Sequence, residues 1–435
     1  MARKVFISFL GTNNYIETIY QFPNGISSKP VRFIQEALIT EQCLSWTKED
    51  KIFIFCTSGA EVANWNDNGQ TQVKEDIEKI GLEHRLKDLL KDKFDLVEKV
   101  LIPEGFSTEE IWNIFDIVYQ KLEFDDEIYF DVTHAFRSIP LFSTILFNYA
   151  HFMKNTNVIS IQYGAFEKLG PAFKVRMIPL EERIAPIIDL TNLITLQQCT
   201  DIANSFVSLG RIGSIDKMIK EPQLKTQLKD INSAIDNFDI NLLTNNLTQI
   251  RKGADIIQIK NNIKYVNRLP LPSPIKDIIR KIGLELSDFE KEPSNKNIEA
   301  AISWAIKYRM LSQAYTLGQE YIKILLSELY SDYNPYNDKS KSVRHKKFRE
   351  FLSAICSISK KDISEGNFRG DLSTYENVVI DLLDKDVIQK IREPYSLFSK
   401  NRNSINHAKG DIVYKNLVEE FYKNYDACIN ILTNL

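Results

Sequence analysis

The spacing of apolar positions changes once along the chain. Early on, short unbroken apolar runs recur at residues 5–10 (VFISFL), 51–56 (KIFIFC), 96–102 (LVEKVLI) and 127–132 (EIYFDV). Each has the length of a buried strand. Between them, residues 75–91, 108–122 and 138–153 carry apolar side chains three or four apart, the helical repeat. Strands alternating with amphipathic helices predict an α/β, Rossmann-like domain with a parallel sheet covered on both faces. Residues 158–166 and 172–179 flank Lys168-Leu169-Gly170-Pro171, a sequence suited to a turn, and predict an edge hairpin. Residues 181–186 (EERIAP) read as a linker. After residue 191 strand-like alternation nearly vanishes, and helical spacing fills residues 230–260, 297–330, 343–358, 375–392 and 413–432. Residues 268–274 (RLPLPSP) interrupt this all-α half. The expected organisation is an α/β domain over residues 1–182, a helical connector over 183–274 and an all-α domain over 275–435.

Composition adds bounds. A chain of 435 residues exceeds what one core supports, and 43% hydrophobic with 26% charged residues is a globular balance. No apolar run reaches the length of a membrane span, so a cytoplasmic protein without a membrane partner is expected. The five cysteines are scattered without a Cys-x-x-Cys pair, which predicts reduced packing residues and no zinc site. The net charge of −3 hides an asymmetry. Residues 1–190 hold 20 Lys and Arg against 28 Asp and Glu, a balance of −8; the remainder holds 35 against 30, a balance of +5. A polyanion is therefore expected on the second half.

Candidate chemistry lies in two kinds of place. In an open parallel sheet, ligands bind beyond the carboxyl ends of the strands. Three such ends are polar: Ser8 with Gly11, Thr12, Asn13 and Asn14; Thr57 with Ser58 and Gly59; and Asp131, Thr133, His134, Ala135 and Arg137. Short hydroxyl and amide groups read a base or ribose, and helix-start N–H groups attract phosphate. With no GxGxxG or Walker A pattern, neither a dinucleotide nor ATP is the expected ligand. His134 reads equally as a ligand contact or as a ring that fixes its turn, and Arg137 as a partner of Asp131, Glu127 or a phosphate. The second place is residues 399–410 (SKNRNSINHAKG), where Arg402 and His407 flank a stretch with one apolar residue, Ile405. An arginine neutralises phosphate and a histidine exchanges protons near neutral pH. A capping arginine and a solvated histidine explain the same residues. Five helical steps turn about 140°, so the two side chains would meet at a helix end or across a partner. Residues 339–349 (KSKSVRHKKFR) carry six Lys and Arg, either a solvated face or a guide for an RNA backbone.

Arg402-Asn403-Ser404-Ile405-Asn406-His407 resembles the Arg-x-x-x-x-His signature of HEPN ribonucleases. DVTHAFRSIP, at residues 131–140, resembles the Asp-x-Thr-His-Gly motif of one branch of CRISPR-associated sensor proteins, and KVFISFLGTNNY resembles that branch's first strand and loop. These are CARF-domain proteins whose ribonuclease members carry a C-terminal HEPN domain. Ala135 stands where that branch commonly has glycine, which puts the closest backbone approach to a ligand in doubt.

The resemblance implies a two-fold homodimer with a CARF sensor at residues 1–182 and a HEPN ribonuclease at 275–435. Its activator would be a cyclic oligoadenylate, the second messenger of a type III CRISPR effector complex, with cyclic tetra-adenylate favoured and cyclic hexa-adenylate the alternative. The ligand would meet Ser8, Gly11, Thr12, Asn13, Asn14, Thr57, Ser58, Asp131, Thr133, His134, Ala135 and Arg137. Catalysis would fall to Arg402, Asn403 and His407, with Lys346, Lys347, Arg349 and Lys409 on single-stranded RNA. No cofactor or metal is expected. A non-catalytic nucleotide-sensing regulator and a dimerising interaction protein are the alternatives.

Overall fold

The computed structural model describes residues 2–69, 79–134, 139–211, 222–266, 268, 272–336, 339–367, 370–407 and 414–434. The chain divides into two compact units, Met1–Thr195 and Leu196–Leu435. Ala135, Arg137 and Lys409 lie outside the described residues, as do residues 75–78 of the expected helix 75–91.

The first unit holds strands β1 (Lys4–Leu10), β2 (Ile19–Gln21), β3 (Lys51–Cys56), β4 (Val97–Leu101), β5 (Glu127–Asp131), β6 (Asn157–Gly164) and β7 (Ile184–Asp189). Their order is β2-β7-β6-β5-β1-β3-β4, with β1 parallel to both β3 and β5 at the centre. Helices α1 (Ile34–Gln42), α2 (Leu82–Leu90), α3 (Thr108–Lys121) and α4 (Ile139–Lys154) complete the unit. The unbroken apolar run of β1 follows from burial on both sides. Val5, Ile7 and Phe9 share a core with Phe53, Phe55 and the helices α3 and α4 through Ile114, Val118 and Leu146. Phe6 and Leu10 face the opposite way, with Ile52, Ile54, Leu38 of α1 and Leu86 of α2. Each such side chain contributes about 1.5–3 kcal/mol by leaving water. The only polar residue in the run, Ser8, is fully buried.

The edge hairpin is corrected. The strand antiparallel to β6 is β7, which begins inside the segment read as a linker and runs on to Asp189, while residues 172–179 begin with a short helical turn, Ala172–Val175. Gly170 adopts φ +97°, and Pro171 starts a helical turn instead of returning along β6. Pro186, which argued for a linker, fits in β7 because its carbonyl accepts from the Ala165 N–H at 2.9 Å and its missing N–H is not required.

The second unit is helical. Helix α5 (Asn192–Leu209) leads into α6 (Pro222–Leu243), α7 (Leu247–Lys252), α8 (Ala254–Val266), α9 (Ser273–Glu285) and α10 (Lys296–Lys307). Then come α11 (Leu311–Leu329), α12 (Lys341–Ile355), α13 (Glu376–Leu383), α14 (Asp386–Asn406) and α15 (Tyr414–Thr433). Helix α11 serves two cores. Tyr315, Leu317, Tyr321 and Ile324 pack with Phe206, Trp304, Phe398 and Phe421, whereas Ile322 and Leu326 pack with Phe348, Leu352, Ile388 and Tyr395. Gly318 lets α14 approach, since a Cβ there would stand 2.9 Å from the Phe398 ring. No described helix is long and apolar enough to cross a membrane. All five cysteines are buried and unpaired.

Candidate functional site

The carboxyl ends of β1 and β5 meet at the register pair Ser8 and Asp131, and both side chains are fully buried. The Ser8 hydroxyl donates to Asp131 Oδ2 at 2.7 Å and accepts from Gln35 Nε2 at 3.0 Å. Asp131 Oδ1 accepts from the Thr133 N–H at 2.9 Å, closing the turn. Thr133 Oγ1 in turn accepts from the Gly164 N–H at 2.8 Å, tying the turn to β6. Burial pushes the Asp131 carboxyl above the usual carboxylate range, against the hydrogen bonds from Thr133 and Ser8. Ser8 and Asp131 therefore hold the turn from beneath.

The loop after β1 is fixed as firmly. Buried Asn64 donates to Gly11 O at 2.8 Å and to Asn13 O at 2.9 Å. The Gly11 N–H donates to the Tyr15 hydroxyl at 3.0 Å, and the Tyr15 ring lies 4.2 Å from the His134 ring between their centroids. Burial of that imidazole pushes its pKa down to about 4, so His134 is neutral at neutral pH.

Above these turns lies a cavity of about 410 Å³, within the range of small-ligand sites. Asn13, Asn14, Thr133 and His134 line it. Gly11 and Thr12 lie beside it, with Thr12 against Gly59. Thr57 instead caps a short helical turn by accepting from the Ala60 N–H, and Ser58 is exposed; neither reaches the cavity wall. The rest of the wall was not read from the sequence. It includes Tyr15, Tyr20, Tyr163 and Phe166, with Arg32, Arg176 and Glu167. Glu167 accepts from the Tyr163 hydroxyl, whose pKa burial pushes up to about 12. Arg32 is 8% exposed; its backbone N–H donates to Glu36 Oε1 at 3.1 Å, while its guanidinium donates only to neutral oxygens, Ile80 O at 3.1 Å and Asn64 Oδ1 at 3.4 Å. No carboxylate pairs with it among the described residues. A buried guanidinium without a carboxylate, beside four aromatic rings and two amides, suits an anionic ligand with flat apolar parts.

In the second unit, α14 carries Arg402 in its last turn, and His407 caps it with its N–H on Asn403 O at 3.0 Å. Arg402 donates to Asn403 Oδ1 at 3.1 Å, while its buried Nε has no partner. Among the described residues no hydrogen bond or ion pair joins Arg402 to His407. The neighbours anchor the helix. Ser399 accepts from Gln319 at 2.7 Å, Asn401 donates to Glu420, and Asn406 accepts from Ser312 at 2.8 Å. His407 and Asn403 are exposed. Of the residues expected on RNA, Lys346 is exposed, Lys347 is 3.2 Å from Asp371, and Arg349 is half-buried with its Nε unpartnered.

No family model matches the chain. Among curated proteins, the CRISPR-associated protein MJ1674 of Methanocaldococcus jannaschii is 25% identical over 334 residues, which cover 70% of this chain and 49% of that protein. The chain thus spans about half the length of the curated relative it matches.

Proposed function

We propose that the chain is a nucleotide-activated endoribonuclease of CRISPR antiviral defence, in which the first unit senses a cyclic oligoadenylate and two helical units together cleave single-stranded RNA. Similarity to a CRISPR-associated protein supports the setting. The observation that carries the sensor reading is Arg32, a buried cation without a carboxylate partner, on the wall of an aromatic-rich cavity floored by the Asp131–His134 turn. Adenine rings stack on tyrosine or phenylalanine, amides read their edges, and the guanidinium takes a phosphate.

For catalysis, a 2′-hydroxyl attacks the adjacent phosphorus and the bond from phosphorus to the 5′-oxygen breaks. One group removes the proton from the 2′-oxygen and another delivers one to the leaving 5′-oxygen. Each chain supplies one exposed motif histidine, His407. Two copies related by a dimer axis supply the pair, and each Arg402 faces the charge that develops on the phosphorane. Asn403 positions Arg402. The products carry 2′,3′-cyclic phosphate and 5′-hydroxyl ends. Activation requires the oligoadenylate to bind the active arrangement more tightly than the idle one, since equal affinity shifts nothing.

The test is cleavage of a fluorescent single-stranded RNA in EDTA, with no activator, cyclic tetra-adenylate or cyclic hexa-adenylate. We expect one ring, the tetra-adenylate, to activate, and His407→Ala to lower the rate by about 10²–10⁴. Cleavage that survives loss of both Arg402 and His407 would sink the catalytic assignment. Ligand binding without cleavage would leave a nucleotide-sensing regulator.

A further inference from the structure

A second, larger hollow lies in the helical unit, away from residues 399–407. It is an open cleft of about 990 Å³, and three helices present regular stripes to it. Helix α7 contributes Leu247, Thr248, Arg251 and Lys252, and α12 contributes Arg344, His345, Phe348 and Arg349. Both sets follow the spacing i, i+1, i+4, i+5, which places them on one face of each helix. Ile324, Ser327 and Glu328 of α11 form the floor, with Ser331 and Asn334 just beyond.

The cleft is strongly basic, with four cations against one carboxylate. Arg251 is 3.2 Å from Glu328, which uses that carboxylate. Lys252, Arg344 and Arg349 have no ion-pair partner among the described residues, and Arg349 Nε is buried without any hydrogen-bond partner. Clustered cations repel one another unless an anion joins them. Of the remaining polar groups the Ser327 hydroxyl donates to Ile324 O at 2.8 Å, which leaves Thr248, Ser331, Asn334 and His345 able to donate to phosphate oxygens. An acidic peptide would need only the charges. A phosphodiester strand uses the planar guanidinium forks and the short hydroxyl donors together. The volume sits at the top of the range of roughly 300–1,000 Å³ for small-ligand pockets, and the cleft is open, so a strand can run through it.

We propose that the cleft between α7, α11 and α12 binds the phosphodiester backbone of a single-stranded polynucleotide through Lys252, Arg344 and Arg349. The inference deepens the ribonuclease reading by naming where its substrate is held, and rests on that reading for the identity of the strand as RNA. It also separates the basic run on α12 into two faces. Arg344 and Arg349 face the strand, while Lys346 lies outside the cleft and Lys347 rests beside Asp371 and the Tyr336 ring.

The experiment measures fluorescence anisotropy of a labelled 12-nucleotide RNA, and of the matching DNA, on the full chain carrying His407→Ala, between 50 and 200 mM salt. Replacing Arg344 and Arg349 together by Gln is expected to weaken binding about 10–100-fold at the lower salt. The slope of log affinity against log salt should fall by about 1.4, from about 0.7 for each lost contact on a single strand. Because Arg349 Nε is buried, a second variant, Lys252→Gln with Arg344→Gln, repeats the test without touching it. Lys346→Gln with Lys347→Gln should keep affinity within about twofold. RNA and DNA bound alike assign the contact to phosphate, and RNA alone adds the 2′-hydroxyl; both uphold the proposal. Folded cleft variants with unchanged affinity and slope would overturn it, as would a parent chain that binds no strand at low salt, or polyglutamate competing as well as RNA. Absent cleavage would defeat the ribonuclease reading and leave this binding result standing, so the two failures are told apart.

Discussion

The turn after β5 and the end of α14 are both short polar stretches, yet they spend their polar groups in opposite ways. Asp131 and Thr133 use their side chains on the protein itself, accepting from Ser8, the Thr133 N–H and the Gly164 N–H. The cavity above them takes much of its chemistry from elsewhere, from Arg32, Tyr163 and Arg176. At the end of α14 the helix is anchored through Ser399, Asn401 and Asn406, and what remains is left open: an unpartnered Arg402 Nε and an exposed His407. The first arrangement makes a preformed cavity within one chain. Among the described residues the second brings no partner to the His407 ring, and in the proposed mechanism the second histidine comes from another copy.

That contrast predicts opposite outcomes for substitution at the two places. His407→Ala should abolish cleavage by the factor given above and leave the urea midpoint nearly unmoved, because an exposed cap histidine away from packing alters stability by about 0.5 kcal/mol at most. A large loss of stability in His407→Ala would show that α14 ends as a structural element and break the contrast at its most visible point.

The receptor side responds to acid. The His134 pKa is lowered to about 4 by burial, below the unperturbed value of about 6.5. The unfolded chain therefore binds a proton that the folded chain refuses. Stability from this group is complete above about pH 6.5 and falls as pH drops toward 4, by up to about 3 kcal/mol. Asp131, whose pKa burial raises, works in the opposite sense: its folded form holds a proton over a window starting at the unfolded carboxylate value. Comparing urea stability of the parent and His134→Gln at pH 4.5 and 7.5 isolates the histidine, with the parent losing more on acidification. Equal losses would mean that His134 is hydrated and charged in the fold.

Much of this was legible early, for a physical reason. Val5–Leu10 is apolar on both faces because both faces are covered, and a polar Ser8 inside such a run already signals a special contact. The turn motif and the α14 hexamer were visible because neighbours in sequence carry them. The rest of the cavity wall was not. Arg32 precedes α1 and Arg176 follows a helical turn that alternation mimicked as a strand, and nothing local marks either as facing Thr133. β7 was hidden by Glu181, Glu182 and Pro186, which read as a linker when the pairing edge of β6 is not known. On α12 the charges read as one run, and only the helix phase separates Arg344 and Arg349 from Lys346 and Lys347.

Gly11 sharpens the comparison further. A Cβ there would stand 2.7 Å from the Tyr15 hydroxyl, whose ring is held between Phe33 and His134. Gly11→Ala should cost about 1–3 kcal/mol of stability by overpacking and loosen oligoadenylate binding, with RNA binding in the helical cleft unchanged. Isothermal titration of both ligands on the same variant measures this. Equal weakening of both would mean that the substitution unfolds more than the receptor.

The smallest expected effect is the most discriminating. Thr133→Val keeps the shape of the side chain and removes the acceptor for the Gly164 N–H at 2.8 Å. If Thr133 serves only to tie the turn to β6, the variant should lose about 1 kcal/mol in urea unfolding, the usual worth of one hydrogen bond, and ligand affinity should change little. If Thr133 also reaches the ligand, affinity should fall tenfold or more, beyond what the stability change explains. Thr133 lines the cavity, but its oxygen accepts from the Gly164 N–H and its hydroxyl hydrogen-bonds the Asp131 carboxyl. With both its donor and its acceptor used inside the fold, the small change in affinity is the outcome expected.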